Sequence, residues 1–234
     1  MPTVACIFAR AGSKGILNKN IQIFCGKPLI SWAIELALQV RQINDVFVST
    51  DSEEIAEIAR IAGATVPFIR PLELATDTSP EWHSWQHFIK YLNDKDGRLP
   101  EVFLSLPATS PLKSTIDVEN CLNEFKKGRA DFVVGITPSQ RNPYFNMVKK
   151  GENNQVNLVI QQVEKYSRRQ DTPEIFDLTT VCYVGKPSTI LTKNSIFEGR
   201  VAGVEIPRER AIDIDTELDF QIAEFLFKSK ANQK

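Results

Sequence analysis

An α/β fold is expected, with a mostly parallel sheet covered by helices on both faces, and two observations lead to it. Short apolar runs alternate with helical patterns: Val4 to Ala9 precedes Leu29 to Val40, Val46 to Thr50 precedes Glu53 to Ala62, and Val102 to Leu106 precedes Ile116 to Phe125. Repeated strand and helix is the pattern of parallel strands linked by crossover helices. The chain, at 234 residues, also has the length to bury a substantial core, so 1–234 is read as a single domain.

Val4 to Ala9 is too short an apolar run, and lacks the basic start, for a signal peptide. In Glu53 to Ala62 the residues Ile55, Ala56, Ile58, Ala59 and Ala62 fall on one stripe, Asp51 or Ser52 can cap the first turn, and Gly63 ends the helix. Phe132 to Ile136 reads as a further buried strand. The stretch 137–178 then leaves the core pattern, being polar and irregular with Pro138, Pro143, Pro173 and three asparagines between Asn153 and Asn157. It is read as an inserted excursion that either folds over a site as a lid or reaches a second subunit for dimerisation. Thr180 to Val184 returns to strand character, Val201 to Ile206 suits an edge strand, and Glu217 to Phe227 makes a closing helix with Leu218, Ile222 and Phe225 on one side. The expected architecture is therefore Rossmann-like.

Lys plus Arg number 28 against 29 Asp plus Glu, a net charge near −1. Nothing in the whole-chain charge argues for nucleic acid or an anionic membrane, and any phosphate chemistry must be organised locally. No run approaches the roughly 20 apolar residues that cross a bilayer. Cys6, Cys25, Cys121 and Cys182 lack a C-x-x-C pair, the usage of reduced, packed thiols in a cytoplasmic protein. His83 and His87 share a helical pattern with Trp82 and Trp85. The histidine spacing suits a metal, but without a third ligand nearby a packing or partner face is preferred.

Chemistry concentrates in two places. The first strand runs into Ala9-Arg10-Ala11-Gly12-Ser13-Lys14-Gly15-Ile16-Leu17-Asn18-Lys19-Asn20. Glycines let backbone N–H groups approach phosphate oxygens, and Arg10, Lys14 and Lys19 can neutralise a leaving pyrophosphate. The loop matches neither the dinucleotide fingerprint nor the P-loop of kinases; a basic surface turn is the alternative. The second place is Ile212-Asp213-Ile214-Asp215. In an extended chain the two carboxylates share a face while the isoleucines pack behind, and convergence of like charges favours a hard cation such as Mg²⁺. Two solvated aspartates at a strand end are the alternative. Asp219 is assigned to the start of the closing helix, where it favours the positive end.

The phosphate loop, with Gly26-Lys27-Pro28-Leu29-Ile30, resembles the opening of the acylneuraminate cytidylyltransferase family, which includes the CMP-sialic acid synthetases. The similarity continues through Val48-Ser49-Thr50-Asp51, Pro67-Phe68-x-Arg70-Pro71-x-Glu73-Leu74-Ala75-x-Asp77, Thr109-Ser110-Pro111-Leu112, Arg168-Arg169-Gln170-Asp171 and Ile212 to Glu217, covering nearly the entire chain in order. The resemblance implies transfer of CMP from CTP to an acidic sugar, with Mg²⁺ at Asp213 and Asp215. It implies a nucleotide site at Ala9, Arg10, Gly12, Ser13, Asn20, Arg70 and Asp77, and a sugar site using Arg169, Gln170, Thr109 and Thr179. Arg70 reads equally well as a structural ion-pair partner, Asn20 as an Asx turn, and Arg168-Arg169 as an exposed basic turn. Family relatives use the excursion across subunits, which implies a homodimer.

Three departures fall in the sugar-handling positions. The usual Gln-Pro-Thr-Ser-Pro-Leu-Arg run is here Pro107-Ala108-Thr109-Ser110-Pro111-Leu112-Lys113, a lysine common after Pro143 is missing from Asn142-Pro143-Tyr144-Phe145, and Asn-Gly-Ala becomes Thr179-Thr180-Val181. The expected acceptor is thus a 2-keto-3-deoxy acid of the nonulosonate type, modified relative to N-acetylneuraminate, or a shorter ulosonate. A transferase acting on a sugar 1-phosphate and a catalytically silent nucleotide-binding relative are the rival readings.

Overall fold

The computed structural model describes residues 2–13, 15–161 and 166–231. In chain order the first half holds β1 (Thr3–Phe8), the short hairpin strands β2 (Ile23–Phe24) and β3 (Lys27–Pro28), α1 (Leu29–Gln39), β4 (Asp45–Ser49), α2 (Glu53–Ile61), α3 (Glu81–Asp96) and β5 (Val102–Ser105). The second half holds α4 (Thr115–Lys126), β6 (Phe132–Pro138), the hairpin β7 (Val148–Lys150) and β8 (Val156–Leu158), β9 (Phe176–Gly185), α5 (Pro187–Thr192), β10 (Val201–Glu205) and α6 (Glu217–Ala231).

The six-stranded sheet has the order β10-β6-β9-β5-β1-β4. Every pairing is parallel except those of β9, which runs antiparallel to both β5 and β6. β1 shows why both faces need helices: Ala5 and Ile7 join a cluster with Ile34, Ala37, Ile55 and Leu122 of α1, α2 and α4. Val4 and Cys6 point the other way, into Trp85, Phe88 and Ile89 of α3 and Ile190 of α5. A strand buried on both faces reads as a continuous apolar run, and each of its larger side chains contributes about 1.5–3 kcal/mol by burial. α2 starts where Ser52 Oγ accepts the Ile55 N–H at 3.3 Å, and the chain turns away at Gly63, whose φ of 98° suits glycine.

Three details differ from expectation. β9 begins at Phe176 because its first residues pair with Ile136 to Pro138 beyond a register shift between Val134 and Ile136. That shift places Gly135 against Thr179: a Cβ on Gly135 would lie 2.6 Å from the Thr179 hydroxyl. α6 packs through Phe220, Ala223 and Phe227, which meet Phe24 and Trp32 from the β2–β3 hairpin and α1. Leu218, Ile222 and Phe225 face outward at 64%, 40% and 70% exposure. The hairpin presents its aromatic ring to the first stripe, so the second stays outside.

The excursion leaves at Pro138 and returns at Phe176, which are paired neighbours across β6 and β9. It carries the β7–β8 hairpin, on which Val148 and Val156 are exposed. Among the described residues no helix is long and apolar enough to cross a membrane.

Candidate active site

The loop after β1 is held at its start by β4: the Ala9 N–H donates to Ser49 O at 3.0 Å and the Ala11 N–H to Asp51 Oδ1 at 2.9 Å. Gly12 has a φ of 64°, where glycine pays no steric penalty. The Ser13 hydroxyl donates to Ile16 O at 2.6 Å and accepts the Lys19 N–H at 3.0 Å, closing the loop from inside. Asn20 is buried and its amide donates to Arg10 O at 3.0 Å. Lys14 lies outside the described residues.

This loop rests on the carboxylate run. A Cβ on Gly15 would collide with the Asp215 carbonyl oxygen. Lys19 Nζ donates to Ile214 O at 2.6 Å and to Asp215 Oδ1 at 3.0 Å. The run itself is a connecting segment rather than a strand; the Ile214 N–H donates to Thr109 O at 2.8 Å, and Ile214 packs behind in the third apolar cluster. Burial pushes the Asp213 carboxyl pKa up, and the charge of Asp215 adds to this, against hydrogen bonds from Thr109 and Thr180. Among the described residues, Asp213 Oδ1 is buried without a hydrogen-bond partner. A buried acceptor beside a second carboxylate fits a hard cation.

Outside these groups stands a polar scaffold. Arg210 grips buried Asp117 with a fork, Nε to Oδ2 at 2.8 Å and Nη2 to Oδ1 at 2.9 Å, anchoring the chain just before Asp213 to α4. The Lys113 amine is buried and donates to Pro107 O, on the segment that carries Thr109. Burial brings its pKa down to about 8. Asp219 accepts from the Thr216 N–H and hydroxyl at 2.8 and 2.7 Å, capping α6 as expected.

Two compartments meet over this floor. The smaller, about 290 Å³, is lined by Arg10, Ser13 and Lys19 of the loop and by Arg70, Leu74, Asp77 and Ser79. Arg10 Nη2 pairs with Asp77 Oδ1 at 2.7 Å. Arg70 is 4% exposed and 3.9 Å from Asp51, and its Nε has no hydrogen-bond partner among the described residues. The larger compartment, about 490 Å³, has Trp82, Trp85, Tyr183, Leu178 and Ile196 on its walls and Thr180, Asp213 and Asp215 at its base. Phe8, Asn20, Glu81 and Thr109 border both.

The fold thus brings together Arg10, Ser13, Lys19, Asn20, Arg70, Asp77, Thr109, Asp213 and Asp215. Ala9 is buried beneath the loop and Gly12 shapes it. Thr179, expected at the sugar, instead donates to Gly135 O at 3.0 Å on the far side of the bulge. Thr180 takes the cleft position, bonded to the Ser110 hydroxyl. Arg169 and Gln170 stand away from this cleft, lining a recess beside β6 in which Arg169 Nη2 donates to Ser139 O at 2.8 Å. His87 packs edge-on against Phe68 and Trp85 joins the core, as a packing face predicts, but Trp82 borders the cleft. Glu81, Thr180, Trp82 and Tyr183 were not legible as site residues.

Residues 4–233 match the family model described as cytidylyltransferase. The chain is 33% identical to a CMP-N,N'-diacetyllegionaminic acid synthase of Campylobacter jejuni, over 98% of this chain and 97% of that protein. It is 34% identical to a pseudaminic acid cytidylyltransferase of the same species, over 97% of each. A solved CMP:2-keto-3-deoxy-manno-octonic acid synthetase, complexed with CTP, superposes with a TM-score of 0.71 at 16% identity, covering 98% of this chain and 100% of that one. That last likeness is one of fold.

Proposed function

Because the chain belongs to the cytidylyltransferase family, we propose that it transfers CMP from CTP to the anomeric hydroxyl of an acidic 2-keto-3-deoxy sugar and releases pyrophosphate. The observation that carries this reading is the junction itself, where a basic, glycine-bearing loop, Lys19 and two aspartates meet between two adjoining compartments of about 290 and 490 Å³.

In the proposed reaction the sugar oxygen forms a bond to the α-phosphorus as the α–β bridging oxygen leaves with pyrophosphate and the hydroxyl proton is released. Positioning and charge neutralisation supply most of the rate. Arg70, which lines the smaller compartment, would donate to the base, while Arg10 would exchange Asp77 for phosphate oxygens and Lys19 would hold the leaving group beside Asp215. Asp213 and Asp215 would hold Mg²⁺, which when bound screens phosphate charge and acidifies a coordinated hydroxyl. The apolar wall of Trp82, Trp85, Tyr183, Leu178 and Ile196 favours an acceptor with acyl methyl groups, a nonulosonic acid, over a fully hydroxylated ulosonate.

Arg169 and Gln170 would serve the acceptor carboxylate across a homodimer, with the excursion reaching the partner's cleft. Their distance from the cleft of their own chain and the exposed Val148 and Val156 support this. The free, mostly buried cysteines accord with a reducing cytoplasm.

The test is pyrophosphate release with Mg²⁺ across CTP, UTP, ATP and GTP against a panel of nonulosonic and ulosonic acids. Turnover with CTP and one acid, abolished in Asp213→Ala and Lys19→Ala, supports the reading. CTP binding without turnover on any acid rejects it.

A further inference from the structure

We infer that Glu81 reads the ribose of the bound nucleotide, its carboxylate accepting a hydrogen bond from the 2′,3′-diol and so setting a preference for ribo- over deoxyribonucleotide. The inference rests on the cytidylyltransferase reading above and assigns a residue that the sequence motifs passed over.

Its place comes first. Only the central part of a nucleotide can lie where the two compartments join, because the α-phosphorus must meet the acceptor there and the ribose is attached to it. Glu81 borders both compartments. Its side chain is open to the cleft although α3 and β5 crowd it from behind. Its aim comes second. The Trp85 indole N–H donates to Oε1 at 2.7 Å and the Ser105 hydroxyl to the same Oε1 at 3.2 Å. Among the described residues both protein donors therefore act on one oxygen. They fix the carboxyl and leave Oε2 to a ligand.

Its chemistry comes third. Burial pushes the Glu81 carboxyl pKa up, against hydrogen bonds from Trp85 and Ser105 and the charge of Arg70; once ionised, the group only accepts hydrogen bonds, so its ligand presents donors. A sugar acid brings its own carboxylate, bonded to the reacting carbon, to this junction, and that group is repelled. The ribose diol offers two neutral hydroxyls, the same match that places an acidic side chain on the ribose in dinucleotide folds. Asn20, also at the junction, is a neutral amide that donates one N–H to Arg10 O, so it brings no charge to the ligand.

Binding of CTP and dCTP is to be measured without acceptor, by quenching of Trp82 and Trp85 fluorescence, for wild type, Glu81→Gln and Glu81→Ala. The expected result is a wild-type preference for CTP of about tenfold or more, the scale of a hydrogen bond to a charged group, reduced to within about threefold in both variants while dCTP affinity is retained. If Glu81→Ala does not fold, the isosteric Gln variant decides. A preference unchanged in the variants, or absent from wild type that still binds CTP, overturns the inference and leaves the proposed function standing. A wild type that binds no cytidine nucleotide overturns both. A variant defect seen only in the acceptor KM, measured by pyrophosphate release, moves Glu81 to the sugar and also overturns it.

Discussion

Asp213 holds a carboxyl that the fold makes costly to ionise, through burial and then the neighbouring charge of Asp215. Its folded pKa lies above the unfolded value, so the unfolded chain gives up this proton first as pH rises, and stability falls from the ordinary carboxylate range up through the folded value. Above the folded value the full penalty is present. Asp213→Asn is therefore expected to raise the Tm at pH 7 while turnover drops by about a hundredfold or more; Mg²⁺ should raise the Tm of wild type and leave the variant unmoved. Lys113 works in the opposite range. Its amine titrates at about 8 against an ordinary 10.5, so between those values the unfolded state binds the extra proton and stability rises with pH. The Tm of wild type minus that of Lys113→Met, followed from pH 7 to 10.5, should increase; a flat difference contradicts it. The aspartate pair, Lys19 and Arg10 were legible because their chemistry is carried by residue type and spacing. Thr179 and Thr180 were not separable, because the bulge opposite Gly135 decides which of two adjacent hydroxyls faces the cleft, and a shift of one residue exchanges the faces of a strand.

At the scale of elements, the phosphate loop and the carboxylate run behave as one unit joined by Gly15 and Lys19. Gly15→Ala must push the Asp215 backbone away, which costs about 1–3 kcal/mol and should cut kcat by tenfold or more with the sheet intact by circular dichroism. α6 supplies a contrast between its two apolar stripes. Phe227 meets Trp32 and Phe24 edge-on, with ring centroids 4.5 and 5.6 Å away, so Phe227→Ala should cost about 2–4 kcal/mol in chemical denaturation, whereas Phe225→Ala, 70% exposed, should stay within about 0.5 kcal/mol. Periodicity predicts that this helix exists and that it is apolar. It does not choose between two apolar stripes, since that choice belongs to the aromatic ring the β2–β3 hairpin offers from far away in sequence.

For the whole molecule, the alternation of strands and helices was enough to predict the sheet and its two helical layers, because each strand declares its burial locally. The direction of β9 was not legible: a strand's own pattern does not say which way it runs between its neighbours. If the excursion joins two copies of the chain, Val148→Asp on its exposed hairpin should give a monomer in light scattering at micromolar concentration, with the acceptor KM raised and CTP binding unchanged. A monomeric wild type removes the dimer. The reversed strand also has a consequence for how this architecture can vary. Since β9 runs back along β6, the excursion departs and returns through two residues that are ladder neighbours, Pro138 and Phe176, and the sheet closes behind it like a drawn purse. Lengthening, shortening or replacing the purse's contents leaves every rung of the ladder in place. The loop after β1, wedged through Gly15 against Asp215, has no such slack, so variation can accumulate on one side of the molecule while the other is held still.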